Sequence, residues 1–167
     1  MTKDKTRIGI IQMVICSVLW STAGLFISYI DLNPFAIASF RGVIAGVTIL
    51  LMMLLMKIKI KVTKRSLLSM LFVSGTALCF VCATKYAGAA NAIVLQYTAP
   101  VYIVIFSALF LKKRVAKNDL ITVIVTLIGI VLFFVESLEG GSLLGNILGL
   151  MAGAFMGRMF VCVGECD

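Results

Sequence analysis

Along this chain, long apolar runs alternate with short polar or charged breaks. The runs exceed what a core helix requires, so unbroken length rather than 3.6-residue periodicity assigns the elements. Six spans follow, at residues 8–30, 33–56, 67–86, 89–111, 120–135 and 143–162. The fifth is the shortest and counts as a span because both flanks are charged. The first begins with Lys3, Lys5 and Arg7 like a signal peptide, but its apolar stretch outruns the roughly 7–15 residues of a signal core, so no cleavage is expected. No alternating strands of about ten residues appear, and lipid-exposed backbone must satisfy its own hydrogen bonds. The expected fold is therefore an all-α polytopic membrane protein, a bundle of six transmembrane helices.

Composition supports this reading and excludes a water-soluble domain. Of 167 residues, 62% are hydrophobic and 13% charged, against about 45–50% and about 25% in soluble folds. Six spans leave only short loops, so function must reside among the helices. The net charge of +8 is sorted by loop. Twelve of the fifteen Lys and Arg residues lie before span 1, between spans 2 and 3 (Lys57, Lys59, Lys61, Lys64, Arg65), or between spans 4 and 5 (Lys112, Lys113, Arg114, Lys117). The alternate loops hold Lys85 with Asp31, Glu136 and Glu139. By the positive-inside rule both the amino and the carboxyl end are cytoplasmic, and the expected location is the cell (plasma or inner) membrane. The charge is thus a topology signal, with anionic lipid as a secondary contact, and no nucleic-acid partner is expected. His is absent and the five Cys form no ligand pattern, so neither a metal nor a cofactor is expected. Cys79 and Cys82 read CxxC, yet lie inside an apolar span where thiols act as small packing residues. Cys16, Cys162 and Cys166 stand singly.

Two kinds of position interrupt the apolar runs. Gly141, Gly145, Gly149, Gly153 and Gly157 recur every four residues. At 100° per residue they trace a sloping groove over about 160° of the last helix, suited to close approach of a neighbouring backbone. Gly42 and Gly46 offer a shorter version in span 2. Polar residues converge on one depth: Arg41, Trp20, Ser21 and Tyr97 all lie about 12–15 Å below the outer end of their spans. An intramembrane Arg is a functional suspect because an apolar residue would cost less there. Outward snorkelling or anchoring on backbone carbonyls stays open for Arg41, and ordinary interhelical hydrogen bonding for the others. Ser17, Ser21, Gly24 and Ser28 form one small, weakly polar stripe on span 1, able to pack or to line a cavity. In span 4 Asn91, Gln96, Tyr97 and Thr98 lead to Pro100, which removes one backbone hydrogen bond and predicts a helix break at depth. Arg158 is expected to snorkel at the inner end of span 6, and Lys85 to be solvated. No Asp or Glu lies within any span, so an acidic proton relay or cation pocket is not expected.

Three stretches carry a family resemblance: LWSTAGLF (19–26), PFAIASFRGVIAGVTILL (34–51) and YAGAANAIVLQYTAPVYIVIFSALFLKKR (86–114). Together they resemble the EamA-like drug/metabolite transporter family over about residues 8–135. The resemblance implies a five-span repeat at 1–137 followed by the first span, 138–167, of a second, inverted repeat cut short, with the substrate site between the halves. It supports Trp20, Arg41, the 89–97 start of span 4, and Pro100. One departure is Lys113, standing before Arg114 where the family usually has Glu, which puts in doubt any salt bridge that Glu makes. Length is the other, implying a fragment or a half-size protein that needs a second half or a homodimer.

The resulting expectation is a permease, not an enzyme, since nothing pairs a nucleophile with a base. It would move small anionic or zwitterionic metabolites such as amino acids by alternating access, with export suggested by the resemblance alone. Substrate contacts are assigned to Trp20, Ser21, Arg41, Gln96 and Tyr97, the helix break to Pro100, and helix packing to Gly42, Gly46, Gly145, Gly149, Gly153 and Gly157. A small multidrug exporter would need an embedded Glu that the chain lacks. A non-transporting assembly subunit would use the glycine face to dock a partner helix.

Overall fold

The computed structural model describes residues 3–57, 63–111, 116–137 and 142–164. These hold seven helices and no strand: α1 (Lys3–Tyr29), α2 (Pro34–Leu55), α3 (Lys64–Ala87), α4 (Ala89–Gln96), α5 (Ala99–Leu111), α6 (Lys117–Ser137) and α7 (Leu143–Gly164). Among the described residues five segments are long and apolar enough to cross a bilayer: Arg7–Tyr29, Pro34–Leu55, Lys64–Ala87, Ala89–Leu111, which joins α4 to α5, and Leu143–Gly164. The fifth predicted span, 120–135, is helical within α6 but is not among these five. Gly141, Lys113, Arg114 and Cys166 lie outside the described residues.

Local chemistry sets the ends. Pro34 occupies the first turn of α2, where a missing N–H costs nothing, and the Asn33 side chain accepts from the Phe35 N–H at 3.0 Å. Thr63 and Ser66 form a reciprocal capping box at the start of α3, at 3.2 and 2.8 Å. Gly88, at φ +87°, turns α3 into α4, a conformation any other residue would hold under strain. Lys85 is not solvated as expected. Its ammonium donates to the Ser28 carbonyl at 3.4 Å, in the last turn of α1, and to that of Ile30 just beyond it, which also accepts from the Leu32 N–H.

The core sits where α3, α4 and α7 meet, and it is built from small residues. Val81, Ala83, Ala92 and Ala152 have no exposed surface. One glycine per turn of α7 faces the chain segment that runs from α3 into α5. A Cβ on Gly145 would stand 2.6 Å from the Ala87 nitrogen, one on Gly149 2.9 Å from Leu95 Cβ, and one on Gly157 2.7 Å from Tyr102 Cβ. At Gly153 it would collide with the Thr98 hydroxyl. These spacings lie inside van der Waals contact, so α7 approaches its neighbours by lacking side chains there. Gly42 and Gly46 differ from expectation: no atom of another element lies within 4 Å of a Cβ placed on either. α2 packs on α3 through its other face, burying Ile37, and turns its glycines outward.

Arg158 also departs from a simple snorkelling role. Its guanidinium carbon stands 4.1 Å from the centre of the Phe110 ring and 6.0 Å from that of Phe72. This cation–π contact joins α7 to α5 and α3. Tyr102, Phe106 and Phe110 follow at four-residue spacing along α5, with ring centres 6.0 Å apart, and lead up to it.

Candidate functional site

The fourth span breaks before its proline. α4 ends at Gln96, Tyr97 and Thr98 form a turn, and Pro100 falls in the first turn of α5, where its fixed φ and missing N–H are tolerated. Thr98 closes the turn by donating both its N–H (3.1 Å) and its hydroxyl (2.6 Å) to the Leu95 carbonyl. Pro100 has no N–H to offer the Gln96 carbonyl four residues back, and that oxygen faces α7 at Gly153. The break is therefore held from the outside by the glycine face, with Thr98 against α7, and directs Gln96 and Tyr97 toward α1.

There they line a cavity of about 610 Å³ between α1, α4–α5 and α7. Trp20 and Ser21 come from α1, Gln96, Tyr97 and Pro100 from the break, and Met156 and Phe160 from α7. Its size falls within the range of small-molecule sites. A second chamber of about 180 Å³ adjoins it, between α2, α3 and α7, and Arg41 lines this one. Trp20, Phe80, Gln96 and Met156 belong to both walls. The structure thus brings together the five residues singled out for substrate contact, four around the larger chamber and Arg41 across the shared wall. Trp20 and Tyr97 are 65% and 66% exposed, so the chambers open sideways rather than forming a sealed core.

Hydrogen bonding separates these residues from their neighbours. Most spanning hydroxyls are satisfied within their own helix: Ser17 donates to the Met13 carbonyl (2.8 Å), Ser28 to Gly24 (3.1 Å) and Thr76 to Phe72 (2.8 Å). Among the described residues no such bond forms at Ser21, Trp20, Tyr97 or Arg41. Gln96 makes one, a donation from Nε2 to the Met156 sulfur at 3.2 Å. The small stripe of α1 divides accordingly. Ser17 and Ser21 line the larger chamber, while Gly24 lies where α1 meets α4, with a would-be Cβ at ordinary contact distance, 3.6 Å, from that of Ala89.

The apolar wall was not visible in the sequence. Phe80, Met156 and Phe160 look like ordinary core residues, and their one signal is position: Met156 and Phe160 stand a turn apart beside the glycine face. Cys16, taken singly from sequence, lines the larger chamber as an exposed thiol, whereas Cys79, Cys82 and Cys162 are buried. Among the described residues no group of three His, Cys, Asp or Glu side chains is placed to hold a metal ion.

Known proteins bear on this arrangement in two ways. An uncharacterized transporter of Helicobacter pylori is 30% identical over 76 residues, which make up 46% of this chain and 26% of that protein. No solved structure matches the chain. The EamA-like transporter family matches residues 7–135, the stretch that holds α1 to α5, the broken span and every polar residue of the two chambers. With that match across most of its length and several membrane-spanning helices, the chain is a multi-pass membrane protein belonging to the EamA-like transporter family.

Proposed function

We propose that the protein is a secondary transporter of small anionic or zwitterionic metabolites, amino acids among them, and that the two adjoining chambers hold the solute. The observation that carries this reading is the gathering of Arg41, Trp20, Ser21, Gln96 and Tyr97 around two adjoining chambers that share a wall, with their polar side-chain atoms unclaimed or weakly claimed. A spanning guanidinium with no carboxylate inside any span favours a solute that brings the negative charge. Ring faces of Trp20 and Phe80 offer it apolar contact. Alternating access needs an element with two arrangements, and the Tyr97–Thr98 turn supplies a break beside the solute. Cytoplasmic termini follow from the basic loops, and outward movement follows from the family resemblance. The open side of the chambers, where Trp20 and Tyr97 are exposed, is the side that a second half or a second copy would close, with 138–167 beginning the second repeat after a first repeat at 1–137. The glycine face with which an assembly subunit would dock a partner helix is covered by α3, α4 and α5, which favours the transporter reading.

Everted membrane vesicles carrying the protein, offered a panel of labelled amino acids and short carboxylates, test the proposal. Arg41→Ala is expected to abolish uptake of whichever solutes the unaltered protein carries, and Arg41→Lys to retain a part. Wild-type rates for every carried solute in Arg41→Ala, at equal membrane abundance, would refute it.

A further inference from the structure

The wall between the two chambers contains an unusual hydrogen bond. Gln96, the last residue of α4, donates its amide N–H to the thioether of Met156 on α7. A thioether is among the weakest acceptors a side chain offers, whereas a carboxylate oxygen accepts roughly twice as strongly as a neutral group. The remaining N–H and the amide oxygen of Gln96 have no partner among the described residues. Met156 has three rotatable side-chain bonds and packs adaptably, so its sulfur can swing aside at small cost. Both residues line both chambers, whereas Arg41 lines the smaller one alone.

We infer that the Gln96–Met156 contact is an internal partition that a solute's acidic head displaces. The inference rests on the chambers being the solute site and names what that site selects: an acceptor-bearing, anionic head joined to an apolar body. The body lies in the chamber of about 610 Å³ and the head in that of about 180 Å³, near Arg41. Gln96 then exchanges sulfur for carboxylate oxygen. Its amide is a specificity-determining group, since only a ligand carrying a strong acceptor recovers more than the bond it breaks. A solute with the same apolar body and a neutral hydroxyl gains too little over the sulfur to move Met156 aside, so it leaves the partition closed and binds more weakly.

Two probes with one body separate these effects, 3-phenylpropionate and 3-phenylpropan-1-ol. Binding is read on the full chain in detergent by quenching of Trp20, the one Trp of the sequence, which lines both chambers. Met156→Leu keeps the volume and removes the sulfur, so the ratio of Kd for the carboxylate to Kd for the alcohol is expected to fall about threefold. Met156→Gln supplies a stronger competing acceptor, and the ratio is expected to rise by about three- to tenfold. In a Gln96→Leu background both Met156 changes are expected to lose their effect on the ratio. An unchanged ratio in both Met156 variants, or shifts that persist without Gln96, would overturn the partition. Loss of a folded, monodisperse protein on Met156→Leu would overturn it too, since the contact would then be structural. If Arg41→Ala weakens the carboxylate probe while the Met156 variants do nothing, the partition falls and the site stands. If neither probe quenches saturably, both fall.

Discussion

Replacing Gly153 with Ala tests how the broken span is held. A Cβ there would run into the Thr98 hydroxyl and stand 3.1 Å from the Leu95 carbonyl oxygen and 3.2 Å from that of Gln96, against 3.4–4 Å for ordinary contact. Neither carbonyl can easily tilt away. Leu95 already accepts two bonds from Thr98, and Thr98 is buried in the turn. The helix must therefore shift by a few tenths of an ångström, an overpacking cost of about 1–3 kcal/mol. Against this stands a gain of about 0.5–1 kcal/mol from removing a mid-helix glycine. Gly42→Ala carries that gain alone, because a Cβ there meets nothing within 4 Å. The difference between the two variants isolates the steric term. At about 2–4 °C per kcal/mol for a chain of this size, Gly153→Ala is expected to unfold about 2–12 °C below Gly42→Ala. Thermal unfolding in detergent, followed by Trp20 fluorescence, measures it. Equal midpoints would refute the claim that α7 presses on the break at this glycine.

Two other contacts yield expectations of known sign. Phe110→Leu removes the ring under the Arg158 guanidinium and should destabilise by about 1–2 kcal/mol, with Phe110→Tyr restoring most of it, both read by the same melts. Lys85→Met keeps the aliphatic stem and loses the ammonium that holds the Ser28 and Ile30 carbonyls. It should cost about 0.5–1.5 kcal/mol and speed amide exchange in the last turn of α1.

Five of the six predicted spans coincide with helical segments able to cross a bilayer, legible because a bilayer imposes length, and the apolar run at 89–111 coincides with the helical pair Ala89–Leu111. Pro100 announced a break, but its register was hidden: proline is tolerated in a first turn, so the chain opens before it, at Tyr97 and Thr98. Four-residue glycine spacing was equally visible in α2 and α7. Spacing states that a face is smooth and leaves open what covers it, and only α7 has neighbours pressed against that face. Arg158 and Lys85 show the same limit. Their depth could be computed from the sequence, but the rings of Phe72 and Phe110 and the carbonyls of Ser28 and Ile30 reach them from other helices. The polar residues of the chambers stood out because a bilayer makes each of them costly. Phe80 and Met156, which form the wall beside them, cost nothing there and left no mark.

Cys16 allows the most direct test of the claim that the paired chambers carry the solute, because its exposed thiol lines the larger one while Cys79, Cys82 and Cys162 are buried. The measurement is the rate of Cys16 alkylation in membrane vesicles, with Cys16→Ser as the blank, at rising concentrations of a solute that the vesicles transport. The account predicts that the solute slows labelling, with half-protection at the concentration that half-saturates transport. Transport that saturates while the labelling rate of Cys16 stays constant would contradict it.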